Sequence, residues 1–471
     1  MCGVFGAFSK DGNSVLEDVY LGLYALQHRG QETAGIAWTD ILGDKNVHAM
    51  RGSGLVHTAL DQKALSSNTA HVAIGHVRYS TAGGSDFSNA QPIIANYARG
   101  SVAIAHNGNI TNATAIRNFL ENRGAIFQST GDTETILHLM AHQSHKPPLD
   151  ALVGSLRLLR GAYSLAVLLG NRLIAARDPW GFRPLIIGRR GEVTYVASES
   201  CALDIVGAEI IRDVKPGEIL VIDEKGMKSL KIPVTPRRKH LCAFEYVYFA
   251  RPDSLIDGRS VYSVRKALGC NLAKNCPCGK ADMATGMPDS GTISAIGYAS
   301  ESGLPYEKAI VRNRYVGRTF IEPTQRVRDL GVRIKLNPIG KMIDGKRVVV
   351  VDDSIVRGTT VQRVISMIRD SGASEVHVRI ASPPVRFPCY YGIDTPTCEE
   401  LAAARMDTEA LCREIGADSL AYISVEDMTE AIGLPAPDLC TACFTGDYPT
   451  AVPAAFEKDL FSCCGSGIEE E

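Results

Sequence analysis

No charge of either sign dominates this 471-residue chain: 50 Lys and Arg stand against 52 Asp and Glu, a formal net charge of −2. That balance removes any electrostatic argument for nucleic acid or an anionic membrane surface as a partner. Runs of about 20 apolar residues, enough to span a bilayer, are missing, and the opening MCGVFGAFSKDGN lacks the basic start and apolar stretch of a secretory signal. The expectation is a cytoplasmic protein with no membrane and no nucleic-acid partner. The 13 cysteines are odd in number and irregularly spaced, which suits a secreted disulfide scaffold poorly and leaves metal ligation open for some of them. No internal repeat or extended low-complexity tract is present, and the acidic end, GSGIEEE, reads as a frayed tail.

At this length two domains with sizeable cores are the default. The first half carries short β-type runs separated by glycine: VFGAF, AGIAW, HVAIGHVRY, SVAIAHNGNI, YSLAVLL, RLIAARD, TYVASE and EILVID. Helical patterns at 14–27 and 131–143 interrupt them, which predicts sheets covered by helices. IPVTPRRKH at 232–240 marks a boundary, dividing the chain into 2–235 and 236–460 ahead of a tail at 461–471. In the second half GKRVVVV, 345–351, predicts a strand buried on both faces. A helix from Thr359, with Val361, Val364, Ile365 and Ile368 on one side, and the strand EVHVRIASPP follow it. That βαβ unit predicts a mostly parallel sheet with helices on both faces.

Chemistry concentrates in a few short segments. VVVVDDSIVRGTT, 348–360, sets Asp352 and Asp353 at the carboxyl end of a strand, where open α/β sheets bind ligands, and Gly358, Thr359 and Thr360 at a helix start. The stretch is neither GxxxxGK[ST] nor GxGxxG. Paired acids suit a sugar's hydroxyls or a hard divalent cation, and helix-start N–H groups suit phosphate; a solvated turn is the bland alternative. At the other end, Cys2 is either an ordinary buried thiol or, once Met1 is removed, a nucleophile with its own base. An α-amine of pKa about 7.7–8.0 is partly neutral at pH 7.

These segments resemble two known families. VVVVDDSIVRGTT resembles the binding loop of type I phosphoribosyltransferases, which implies that Asp352 and Asp353 contact a ribose and help hold Mg²⁺, while Ser354, Arg357, Gly358, Thr359 and Thr360 cradle a 5′-phosphate. PDSG, 288–291, resembles the segment that sets a serine, here Ser290, beside that magnesium. GRTFIEPTQRVRDLGVRIKLNPI, 317–339, resembles the loop that closes over diphosphate, implying contacts from Arg326 and Lys335. In the first half CGVFG, LQHRGQETAG (26–35), GHVRYST (75–81), AHNGNI (105–110) and GDTE (131–134) resemble, in order and spacing, N-terminal-nucleophile glutamine amidotransferases. The resemblance implies a layered αββα glutaminase in which Cys2 attacks and Asn107 and the Gly108 N–H stabilise the oxyanion. Arg78 would take the glutamine α-carboxylate and Asp132 its α-ammonium. His28, His76 and His106 lie near these motifs, but the resemblance gives the base role to the terminal amine and leaves Arg29 to order the pocket.

The two halves in one chain resemble the glutamine phosphoribosylpyrophosphate amidotransferase family. That resemblance implies transfer of the glutamine amide nitrogen to 5-phosphoribosyl 1-diphosphate in purine synthesis, inhibition by purine nucleoside monophosphates, and a homotetramer. Cys242, Cys389, Cys440 and Cys443 match the four ligands of its iron–sulfur branch, implying one [4Fe–4S] cluster per subunit; zinc would fit the spacing equally. Members of that branch often carry a short propeptide where only Met1 stands here. Cys270, Cys276, Cys278, Cys463 and Cys464 have no counterpart in the family. The alternative is a nucleotide-sensing regulator on the same fold without synthase activity. A synthase with a sugar-isomerase second domain is disfavoured by VVVVDDSIVRGTT.

Overall fold

The computed structural model describes residues 1–39, 46–80, 86–234, 238–313, 335–395 and 397–452. The first half contributes strands β1 (Gly3–Ser9), β2 (Thr33–Thr39), β3 (Val47–Ser53), β4 (Val72–Arg78), β5 (Ile93–Tyr97), β6 (Gly100–Ile110), β7 (Gly161–Leu169), β8 (Leu173–Arg177), β9 (Ile186–Arg190), β10 (Val193–Ala197), β11 (Glu209–Asp213), β12 (Glu218–Asp223) and β13 (Gly226–Lys231). One antiparallel sheet runs β11, β9, β10, β1, β4, β2, β3, and a second runs β13, β12, β8, β7, β6, β5. The sheets face each other across a dry layer that includes Val4, Phe8 and Ile74 from one and Ala103, Ala105, Ala166 and Leu168 from the other. Small alanines on the second sheet let the two backbones approach.

Helices close the outer faces. Leu16–Ala25 buries Val19 and Leu23 over Phe5 and Ala7 of the first sheet. Glu134–His142 and Pro148–Leu156 bury Ile136, Met140 and Leu152 over Ile104, Leu165 and Val167 of the second. The αββα layering expected from the sequence is present. β1 is central in its sheet, between β10 and β4, so residues at its start lie inside the molecule rather than at a frayed end.

The second half folds around a four-stranded parallel sheet in the order Met283–Gly286, Arg347–Asp352, Glu375–Ile380, Ser419–Tyr422. Its α/β organisation follows from the unbroken valine run. Val349 and Val351 enter a core shared with residues of helices Val261–Asn275 and Gly291–Ser302, while Val348 and Val350 enter another with helix Thr359–Asp370. Each valine is fully buried, worth roughly 1.5–3 kcal/mol apiece against exposure. A strand apolar on both faces needs helices on both faces. No helix among the described residues is long and apolar enough to cross a membrane.

The halves meet through buried charge. Glu245, on the short helix Glu245–Phe249 of the second half, accepts Arg29 Nη2 at 2.8 Å and Arg183 Nη1 at 3.3 Å, all three side chains being inaccessible. Arg29 also pairs with Glu199, which accepts the His28 ring at 2.7 Å, the Ser254 hydroxyl at 2.7 Å and the Arg251 N–H at 2.8 Å. Burial alone would push the Glu199 carboxyl up, but His28 and Arg29 outweigh it and hold it well below the usual carboxylate range. The cluster reaches the backbone at two points: Arg29 Nε donates to the Cys2 carbonyl and Arg183 Nε to the Tyr391 carbonyl, each at 2.9 Å.

Glu245→Ala strands two buried guanidinium groups, and the expected loss is about 3–5 kcal/mol of stability, read from urea unfolding. A loss under about 1 kcal/mol would mean the cluster does not hold the halves in register.

Candidate functional site

Pairing of β1 with β4 sets Gly3 opposite Val77, so Cys2 lies beside Arg78 and Tyr79 at the end of β4. The Cys2 thiol donates to the Tyr79 carbonyl at 3.5 Å and its backbone N–H to Asn107 Oδ1 at 3.3 Å. Asn107, on β6, is fully buried; with Oδ1 engaged, its Nδ2 has no hydrogen-bond partner among the described residues. Gly108 follows at φ +151°, a conformation glycine adopts without strain. A cleft opens beside Cys2 and Gly108, lined also by Arg78, Tyr79, Asn89, Gln91, Ile93, His106, Gly131 and Asp132.

Opposite charges sit in this cleft. Arg78 Nη1 is 3.4 Å from Glu32, whose carboxylate also accepts the Ser80 N–H at 2.9 Å and hydroxyl at 2.8 Å. Asp132 accepts the Ile110 N–H at 2.8 Å and stands 3.5 Å from His106 Nδ1. Burial opposes both charges of this pair, yet each partner outweighs it, leaving Asp132 lowered and His106 raised from their ordinary values. Gln91 braces the wall, accepting the His106 N–H at 2.7 Å and donating to Thr133 at 3.0 Å. A zwitterion with its carboxylate at Arg78 and its ammonium at Asp132 would present its side chain between them.

The three histidines divide by environment. His28 is held by Glu199, and His76, 2.9 Å from the His106 carbonyl, is driven by burial down to about 3 and is neutral. The terminal amine of Met1 is pushed down to about 5, by burial first, with Arg183 and Arg29 adding to it and Cys2 opposing. Glu32, Gln91, Glu199 and Glu245 were not singled out from the sequence. Glu32 and Gln91 adjoin recognisable motifs, but only the fold shows what they hold.

The second group of expected residues gathers at the end of Arg347–Asp352. Asp352 and Asp353 are both buried, and Asp352 accepts the Asp353 N–H at 2.8 Å. Burial raises both carboxyls, Asp352 well above 3.8 with the charge of Asp353 adding to the effect. The hydroxyls of Ser354 and Ser290 side with the ionised form of Asp353. Gly358, at φ +84°, turns the chain into helix Thr359–Asp370, leaving Thr359 and Thr360 exposed and Arg357 paired with Glu400 at 3.2 Å. Lys335 lies where description resumes, its carbonyl accepting the Asn313 N–H at 2.8 Å. Arg326, like Cys463 and Cys464, falls outside the described residues.

The expected metal sites are corrected. Among the described residues no group of three or more His, Cys, Asp or Glu is arranged to hold a metal ion. Cys242, Cys389, Cys440 and Cys443 therefore do not form the [4Fe–4S] site expected from their spacing, nor a zinc site, and assignment to the iron–sulfur branch falls with it. Cys242 and Cys440 are instead neighbours on paired strands Leu241–Cys242 and Leu439–Cys440. Burial pushes the Cys242 thiol up to about 11, with Arg183 opposing it, and burial drives Cys440 and Cys443 higher still. Cys389 Sγ accepts the Tyr391 N–H at 3.3 Å. The magnesium expectation at Ser290, Asp352 and Asp353 is corrected on the same ground, since two acids and a hydroxyl make no such group.

Comparison with known proteins agrees with this geometry. Residues 76–204 match the family model described as "Glutamine amidotransferase domain". Over 456 residues the chain is 48% identical to an amidophosphoribosyltransferase of Bacillus subtilis, covering 96% of this chain and 94% of that protein. It is 47% identical over 476 residues to one of Methanocaldococcus jannaschii, covering 98% and 99%. A solved B. subtilis glutamine phosphoribosylpyrophosphate amidotransferase, complexed with ADP and GMP, superposes with a TM-score of 0.90 at 46% identity, over 97% of this chain and 99% of that one.

The raised acids carry a pH signature. A carboxyl raised on folding contributes stability that is fully present below its unfolded value near 3.8 and is lost as pH rises through the folded value. Urea midpoints should therefore fall with rising pH above about 4 from this pair, and Asp352→Asn should flatten that dependence. Identical pH profiles for the two proteins would contradict it.

Proposed function

The chain belongs to the amidophosphoribosyltransferase family, and from that premise we propose how its residues divide the work. It is an enzyme of purine synthesis, which makes 5-phospho-β-D-ribosylamine, glutamate and diphosphate from glutamine, water and 5-phospho-α-D-ribose 1-diphosphate, the first committed step of that pathway. The observation that carries the residue assignment is the half-satisfied Asn107. A buried donor left without an acceptor costs about 1–3 kcal/mol, and an oxyanion formed by attack of Cys2 would supply that acceptor.

Removal of Met1 leaves the amine on Cys2 itself, within reach of Asn107 Oδ1. That amine takes the thiol proton as Sγ attacks the glutamine amide carbon, and Asn107 Nδ2 and the Gly108 N–H receive the charge that develops on oxygen. It returns the proton to the departing nitrogen, and then serves as base for the water that releases glutamate. Arg78 holds the α-carboxylate and Asp132 the α-ammonium, with Glu32 and His106 fixing their positions. Shielded passage keeps the ammonia from being protonated in bulk water.

At the second site Asp352 and Asp353 engage the ribose hydroxyls, a raised carboxyl being able to donate as well as accept. Ser354, Arg357, Gly358, Thr359 and Thr360 surround the 5′-phosphate with a helix start behind it. The family relationship supports Lys335 and Arg326, the latter outside the described residues, as contacts of the departing diphosphate. Purine nucleoside monophosphates as inhibitors, homotetrameric assembly, a cytoplasmic location and the absence of nucleic-acid or membrane partners belong to the same proposal. The family relationship and the balanced charge support them. A regulator without synthase activity would have no use for the open donor of Asn107.

Cys2→Ser is expected to abolish glutamine-dependent synthesis while leaving synthesis from high external ammonia largely intact. Asn107→Ala should lower kcat with glutamine by about 10²–10³-fold. Both are read in steady-state assays with glutamine or ammonium as nitrogen source. Glutamine-dependent turnover surviving in Cys2→Ser would end the nucleophile assignment.

A further inference from the structure

The oxyanion groups are not walled by the glutaminase half alone. β5 pairs with β6 only as far as Ile104, so among the described residues the stretch Asn107–Asn109 has β7 as its one strand partner. A segment of the second half lies against it. Asn109 Nδ2 donates to the Tyr390 carbonyl at 2.9 Å. Gly392, at φ +98°, packs so closely that a Cβ there would lie 2.7 Å from the Gly108 carbonyl carbon and 3.0 Å from its Cα. Between them, the Tyr391 ring stacks on Phe182 of the first half at 4.0 Å and 14°, and its carbonyl accepts Arg183 Nε at 2.9 Å. Arg183 continues through Glu245 to Arg29 and the Cys2 carbonyl.

We propose that Tyr390 and Gly392 of the phosphoribosyltransferase half are positioning residues for the glutaminase reaction, setting the backbone that carries the Gly108 oxyanion donor. The inference rests on the reading of Asn107 and Gly108 as that donor pair. Gly108 has no side chain of its own to lock it, so its N–H direction depends on what touches its backbone. A single-atom side chain at 392 must displace that peptide. The Asn109 bond fixes the same strand without steric load. Arg78 on β4 and Asp132 lie outside this segment, Asp132 meeting the strand at the Ile110 N–H, so KM for glutamine reads their contribution separately from kcat.

The test uses the full-length enzyme with Gly392→Ala and, as a change that adds no bulk, Asn109→Ala. Gly392→Ala should lower kcat for glutamine hydrolysis about 10- to 100-fold, and Asn109→Ala about 3- to 10-fold, with KM for glutamine held within about 3-fold. Ammonia-dependent synthesis and the rate of Cys2 alkylation by iodoacetamide, which needs no oxyanion donor, should stay near wild type. Unchanged kcat in both variants, a rise in KM instead, or a parallel fall in ammonia-dependent synthesis overturns the proposal. Asn107→Ala run alongside separates the two readings. If it leaves glutamine hydrolysis intact, the oxyanion assignment itself fails. If it cripples hydrolysis while the other two variants do nothing, only the role of the second half fails.

Discussion

The buried pairing of Arg29 and Arg183 with Glu245 is the constraint on which the rest depends. Removing charges from water is costly, and apolar packing of the same volume is often at least as stable. What apolar packing cannot do is fix direction. Each arginine here spends one face of its guanidinium on Glu245 and its Nε on a backbone carbonyl, Cys2 in one case and Tyr391 in the other. A slip of the halves would break charge-assisted bonds at the nucleophile and at the oxyanion strand together. With Glu199 included, two arginines face two glutamates, so the cluster is balanced without solvent.

Against that satisfied cluster, the sites are recognisable by what they leave unsatisfied. Asn107 keeps one donor unpaired at zero exposure, and Asp352 and Asp353 bury two acids side by side. A core selected only for stability would remove both features. On the proposed function each would be relieved by a ligand of matching chemistry, an oxyanion in the first case and sugar hydroxyls in the second.

Much of the fold was legible in the sequence because its strands are buried on both faces and written as continuous apolar runs. In the first half the strands not foreseen were β3, β5, β9, β11 and β13, and all but β9 are sheet edges; in the parallel sheet of the second half the two edge strands, Met283–Gly286 and Ser419–Tyr422, were not foreseen either. β3 alternates half-buried and exposed positions and β11 is largely exposed, so neither carries the apolar signal. The helix pattern at 14–27 became Leu16–Ala25 and that at 131–143 became Glu134–His142, frayed inward at both ends. At the glutamine cleft, Cys2, Arg78, Gly108 and Asp132 were readable from short motifs and do line one cavity. Glu245, far along the chain from Arg29, carries no local mark of its partner. The cysteines failed for the opposite reason: CTAC looks like a ligand pair, but spacing does not show which side chains converge, and among the described residues no group is arranged to hold a metal ion.

Placing a nucleophile at a chain terminus brings a structural problem, because termini fray. Here the terminus begins a central strand, and what surrounds it comes from both halves. Met1 is almost wholly buried within a core built of second-half residues such as Leu241, Val247 and Tyr298, and its amine is lowered by burial with Arg183 and Arg29 adding to the effect. An exposed amine would sit near its ordinary value and be mostly protonated at pH 7. The second half therefore closes over the terminus beside Cys2, and its Glu245 offsets the buried charge of Arg29 and Arg183. Because one of those arginines holds the Cys2 carbonyl and the other the Tyr391 carbonyl, the surroundings of Cys2 are complete only when both halves are in place.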